Sequence, residues 1–156
     1  MRSVTRIITC LVSVLLHASG TPNPTVGVGA DCRCLSFDQA EELGWDIAAL
    51  REEYTAAVEA FPDEKAELAA AWSDLQYTLR DRLGEEGLTE LEGHSIFTAF
   101  LFEPDGRIAR VFYRGLEPDE ETVLCEVVEK LAEEYRFPLT SSTRFSQCGT
   151  THFKKN

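Results

Sequence analysis

Histidine is scarce in this 156-residue chain, with three copies in all, and one of them, His17, sits in the apolar opening. That leaves His94 and His152 as the only imidazoles beyond it, at opposite ends of the C-terminal half. Imidazole is the side chain that ordinarily changes charge near neutral pH, so the sequence offers little for acid–base catalysis built on it. His94 reads as a loop residue at a strand entry, and His152 as a neighbour of the closing lysines. Basic residues are also few, 15 against 27 acidic ones, for a net charge of −12. Binding to nucleic acid depends on clustered Lys and Arg, so a nucleic-acid partner is excluded, and an anionic lipid surface would repel the chain. No Gly-x-Ser-x-Gly elbow, phosphate loop, dinucleotide fingerprint or His-Glu-x-x-His occurs, and no catalytic residue, metal site or cofactor is assigned. Finally, no apolar run is long enough to span a membrane. The longest, Ile7 to Leu16, is half of the roughly twenty residues a spanning helix needs.

That short run is informative in itself. Arg2 and Arg6 precede it, and the small residues Ala18 and Gly20 follow it, before a cleavage point at Thr21. The pattern is that of a cleavable signal peptide over residues 1–20, with a later cut after Ala30 as an alternative. Cys10 loosely matches a lipoprotein cleavage box, but Leu11 to Leu16 continue the apolar stretch beyond it, so no lipid anchor is expected. Removal of residues 1–20 makes the charge 13 − 27 = −14. The expected location is extracytoplasmic, periplasmic or secreted.

Four cysteines then remain: Cys32, Cys34, Cys125 and Cys148. In an oxidising compartment an even number implies disulfides. Only Arg33 separates Cys32 from Cys34, so each is expected to reach either Cys125 or Cys148. Two alternatives stand beside this. Cys125 and Cys148 can be small buried thiols, or Cys32, Cys34, Cys148 and His152 can supply three thiolates and an imidazole to a metal.

Residues 21–35 carry no periodicity and read as a flexible tail; Asn23-Pro24-Thr25 is not a glycosylation acceptor. Residues 36–156 are expected to form one α+β domain, with a helical part over 36–84 and a ββαβ part over 94–153. Ser36-x-x-Gln39 is a capping box. Apolar residues then recur at Phe37, Ala40, Leu43, Ile47, Leu50, Tyr54, Ala57 and Phe61. They predict a short helix at 37–43 and, after Gly44 and an Asp46 cap, a longer one at 47–61. Pro62-Asp63 opens a further helix to Gly84, striped by Ala66, Leu68, Ala69, Trp72, Leu75, Leu79 and Leu83, with Trp72 in the core. The two longer helices are expected to face each other as an antiparallel pair.

Beyond Gly93 the period falls to two. His94–Phe102, with apolar residues on both faces, predicts a central strand. Glu103-Pro104-Asp105-Gly106 is a turn, and Arg107–Arg114 a second strand. An amphipathic helix follows over 120–135, and polar residues 139–153 predict a third strand suited to a sheet edge. The expected sheet is three-stranded and antiparallel, with the third strand beside the first.

This block resembles the C-terminal domain of TonB-like energy transducers. The likeness rests on Ile96–Phe102, Asp105-Gly106-Arg107-Ile108, Val111, Arg114-Gly115-Leu116 and the Asp119-Glu120-Glu121 helix start. The closing Tyr135-Arg136-Phe137-Pro138-Leu139 and Phe145-Ser146-Gln147-Cys148 are similar to an ending shared by uncharacterised bacterial exported proteins. The TonB-like resemblance implies capture of an extended peptide at the edge strand 139–153. A long proline-rich spacer is absent, so only the fold and the binding mode are implied.

The acidic runs Glu52-Glu53, Glu85-Glu86, Asp119-Glu120-Glu121 and Glu133-Glu134 read as solvated helix faces. Arg110 and Arg114 share a strand face, with Arg144 on the neighbouring edge. Together they form a candidate receptor for a partner carboxylate, unless acids such as Glu103 and Glu117 occupy them. The sequence thus points to an exported, non-enzymatic protein-interaction domain. The alternatives are the metal-binding set above and a hydrolase without a recognisable motif.

Overall fold

The computed structural model describes residues 33–86 and 95–153. The expected signal peptide, Cys32 and His94 lie outside the described residues.

Local signals start the N-terminal elements. Ser36 Oγ accepts from the Gln39 amide at 3.1 Å while the Ser36 amide donates to Gln39 Oε1 at 2.9 Å. This reciprocal cap opens α1 (Phe37–Glu42). Asp46 Oδ1 accepts from the Ala48 and Ala49 amides, both at 3.0 Å, and opens α2 (Ile47–Glu53). The helix expected to run to residue 61 stops there. Thr55–Ala56 form a strand, β2, and Ala57–Ala60 a single turn, α3. The reason is tertiary: the Thr55 amide donates to the Arg144 carbonyl at 3.1 Å, and β2 lies parallel to Phe145–Ser146. A bond to a distant segment overrides the local helical period.

The remaining helices are α4 (Lys65–Glu85) and α5 (Pro118–Glu134). The α5 start combines Pro118 in the first turn with a Glu117/Glu120 capping box, and its acidic first turn suits the helix dipole. In α4 the buried stripe is Leu68, Ala71, Leu75, Leu79 and Leu83. Ala66 and Ala69, assigned to that stripe from the sequence, are exposed, and Trp72 is half-buried.

The sheet has five strands and is mixed, not three-stranded and antiparallel. Its order is β1-β4-β3-β5-β2, with β1 Cys34–Ser36, β3 Ser95–Phe102, β4 Ile108–Arg114 and β5 Phe145–His152. The antiparallel β4-β3-β5 centre places the last long strand beside the first. Two short parallel strands flank it: β1 on β4 and β2 on β5. Cys34 and Leu35, expected in the flexible tail, are therefore buried sheet residues. The stretch expected as strand from residue 139 becomes one only at Phe145. Two- and three-residue strands carry too few residues to show a period of two.

Each face of the sheet carries its own core. Beneath α4 and α5 lie Ile96, Phe100, Phe102, Val111, Tyr113 and Phe145. Phe102 is the hub of an aromatic cluster, 4.9 Å from both Phe137 and Phe145. The opposite face packs Leu35, Leu101 and Phe112 against Ala40 and Tyr54, with Phe37, Trp45 and Leu50 around them. The helical pair expected from the sequence is thus divided by the sheet: α4 packs on α5, while α1 and α2 cover the other face. A helix with an apolar stripe gains most where the largest apolar surface awaits it, and both sheet faces offer one.

Gly106 closes the β3–β4 turn at φ 81°. A Cβ there would lie 2.3 Å from the Phe137 carbonyl oxygen, and the Phe137 amide donates to the Gly106 carbonyl at 2.9 Å. The turn thereby anchors the segment that leads from α5 to β5.

Candidate binding edge and the cysteine cluster

The two edges of the sheet differ. At β1 the amide of Val111 donates to the Arg33 carbonyl at 2.6 Å, so Cys34 and Ser36 turn their backbone groups away from β4. Two of those groups are occupied: Cys34 O accepts from the Cys125 thiol at 3.6 Å, and the Ser36 amide is held in the cap. At the other edge β2 pairs only with Phe145 and Ser146. Because Arg144 O points to β2, alternation carries Ser146, Cys148, Thr150 and His152 to the same side. Past Ser146, the backbone groups of Cys148, Thr150 and His152 face away from the sheet with no strand beside them among the described residues. The register of β3 with both neighbours gives the same phase, since Phe100 pairs with Gln147 and with Val111.

This open segment has neither proline nor a formal charge to discourage pairing, devices by which edges are usually protected. Trp72 and Gln76 of α4 stand against it on one face, where a Cβ at Gly149 would come within 3.1 Å of Trp72 Nε1. The other face shows Cys148, Thr150 and His152, with Phe97 of β3 36% exposed beside them. Ser95 Oγ and His152 Nδ1 lie 2.7 Å apart on that surface. Both residues are exposed, and neither lines a cleft described below.

The three arginines singled out from the sequence are not brought together as a receptor. Arg144 pairs with Glu53 and, at 3.2 Å, with Glu103, and stands over the Tyr54 ring. Arg110 lies 4.2 Å over the Trp45 ring and Arg114 5.2 Å over Phe37. They cover the second core with their stems and stack on its aromatic rim, as guanidinium groups do. An open cleft of about 510 Å³ next to Arg110 also receives Arg33, Arg107 and Arg136. Their charges are matched internally: Arg33 by Glu129 at 3.8 Å, Arg107 by Asp105 at 2.7 Å, and Arg136 by carbonyls of Ala132, Glu133 and Tyr135. The Arg107 guanidinium in turn holds the Asp105 carboxyl below its ordinary range.

The alternative metal set does not come together among its described members, Cys34, Cys148 and His152. Cys148 and His152 are four residues apart on one strand, roughly 13 Å by strand rise. Cys34 is three strands from Cys148, about 14 Å by strand spacing, and faces the other core. No group of three or more metal-ligating side chains occurs among the described residues.

Cys34 instead meets Cys125. The Cys34 thiol hydrogen-bonds the Cys125 sulfur and holds its pKa below the ordinary thiol value, against the opposing effect of burial; the Tyr113 hydroxyl contributes a further bond. Burial, with both sulfurs close by, pushes the Tyr113 hydroxyl far up. The sequence contained the four cysteines but not which pair converges, because that depends on β1 joining the sheet.

Comparison with protein-family models, with curated proteins and with solved structures gave no match. Among the described residues no helix is long and apolar enough to cross a membrane.

Proposed function

We propose that this chain is an exported, non-enzymatic interaction domain that captures an extended segment of another extracytoplasmic protein by strand addition along β5. The observation that supports this is the pairing mismatch at that edge: β5 has eight residues and β2 covers two of them. An incoming strand of about five residues would find outward amides at Cys148, Thr150 and His152 and outward carbonyls at Thr150 and His152, the Cys148 carbonyl already accepting from Gln147 Nε2 at 3.4 Å, with side-chain contacts to Trp72 and Gln76 on one face. The chain's net charge of −12 favours a neutral or basic segment over an acidic one, chiefly through association rate. The resemblance of residues 94–153 to TonB-like C-terminal domains points to the same binding mode, without the force transmission of an anchored transducer.

The reading is tested with a displayed library of random extended heptapeptides selected on the full chain. Selected peptides should slow hydrogen exchange at the Cys148, Thr150 and His152 amides. They should also lose binding to Thr150→Pro, which removes one outward-facing donor while leaving the β3 ladder intact. Retained binding to that variant, protection confined to other elements, or failure to select any peptide would reject strand addition.

A further inference from the structure

We infer that Cys34 and Cys125 are the redox pair of this chain and join as a disulfide that fastens strand β1 to helix α5. This inference does not depend on the edge-binding reading. It singles out one pair where four cysteines leave several pairings open.

Three observations converge on it. Cys34 is 5% exposed within the main core, and the Cys125 thiol reaches its carbonyl oxygen at 3.6 Å. One turn along α5, Glu129 accepts from the Arg33 amide at 3.1 Å and pairs with the Arg33 side chain. Positions 125 and 129 share a helix face, so Cys34 at the start of β1 and Arg33 just before it are held by one face of α5. Cys148, the other described cysteine, is on the opposite sheet face and three strands away, which removes it as a partner for Cys34 without rearrangement.

The two sulfurs also differ in the way stepwise exchange requires. Cys125 is partly exposed, with a thiol made more acidic by its neighbours, whereas Cys34 is buried. With an external low-molecular-weight disulfide as oxidant, the Cys125 thiolate attacks one sulfur. A mixed disulfide forms and one thiolate leaves. The Cys34 thiolate then attacks the Cys125 sulfur, forming the internal bond and releasing the second thiolate. Two protein thiols are oxidised, one external disulfide is reduced to two thiols, and two protons move with them. Tyr113, hydrogen-bonded to Cys125, stabilises the first thiolate and is a positioning residue.

The test treats the full chain, reduced and then exchanged into glutathione disulfide, with differential alkylation and peptide mapping. The expected product is a single linked pair containing Cys34 and Cys125, with Cys148 alkylated or carrying a glutathione adduct. Cys34→Ser should stop at the first step, accumulating a glutathione adduct on Cys125. Cys125→Ser should leave Cys34 without an adduct while the protein is folded. Tyr113→Phe should slow adduct formation on Cys125 and shift its pH profile upwards. A Cys32–Cys125 link, a Cys148 link to any of the three, or both thiols persisting in the oxidised chain would overturn the inference.

Discussion

The sulfur of Cys125 lies 3.6 Å from the carbonyl oxygen of Cys34, a residue 91 positions earlier in the chain. The contact closes the N-terminal strand onto the last helix. It also occupies a backbone acceptor that would otherwise sit bare on the β1 edge.

Joining these sulfurs should stabilise the fold, because it removes loop-closure entropy from the unfolded chain. For a loop of this length the gain is about 3–5 kcal/mol if native geometry is unstrained. Urea denaturation of the oxidised and reduced chains measures it. Equal midpoints would show that the bond adds no net stability.

Proline scanning of β5 distinguishes its two sides. Thr150→Pro removes an amide that faces outwards and should cost no more than about 1 kcal/mol. Gln147→Pro removes an amide paired with β3 in the middle of the sheet and should cost about 3 kcal/mol or more. Similar losses from the two variants, read by thermal unfolding, would contradict the alternation assigned here.

Tyr135 carries a buried hydroxyl with no hydrogen-bond partner among the described residues. Burial raises its pKa to about 12. In the unfolded chain a tyrosine ionises near 10, so between pH 10 and 12 the native state retains a proton the unfolded state has lost. Stability therefore falls as pH rises through that window. Tyr135→Phe should remove this contribution. It should also gain about 1 kcal/mol at pH 7 by eliminating the unpaired hydroxyl. Guanidinium melts at pH 7 and pH 11 test both, and a loss of stability at pH 7 would refute the unpaired state of the hydroxyl.

The aromatic hub and its turn should be the most sensitive part of the fold. Phe102 is fully buried between Phe137 and Phe145, and Phe102→Ala should cost about 3–5 kcal/mol. Gly106→Ala should be disproportionately harmful for its size, at roughly 1–3 kcal/mol. The new methyl meets the Phe137 carbonyl oxygen, and φ 81° is unfavourable to a side chain. Chemical denaturation quantifies each; a Gly106→Ala chain as stable as the parent would mean that the turn relaxes freely.

Much of the fold was legible along the chain. The caps at Ser36 and Asp46, the Asp105-Gly106 turn, the two-sided β3 and the α5 stripe are all local signals, read by neighbours within four residues. The expected three-stranded sheet failed where the signal was not local. Thr55-Ala56 sits in a continuous helical stripe and becomes strand only because Arg144 offers a carbonyl. Cys34-Leu35 shows no pattern until Val111 and Phe112 lie beside it. Strand alternation puts Arg110 and Arg114 on one face of β4, whereas Arg144 stands just before β5 and pairs with Glu53 and Glu103. That the three arginines would stack on Trp45, Phe37 and Tyr54 depends on which face α1 and α2 cover.

By itself the sequence determined composition-level behaviour and the identity of the long elements, because charge, caps and hydrophobic period are properties of neighbouring residues. Only the tertiary structure decided that β2 stops short along β5, that the helices divide between two sheet faces, and that Cys34 meets Cys125. Those outcomes arise from pairing and burial between segments far apart in the chain, where the free energy resides in surfaces created by assembly.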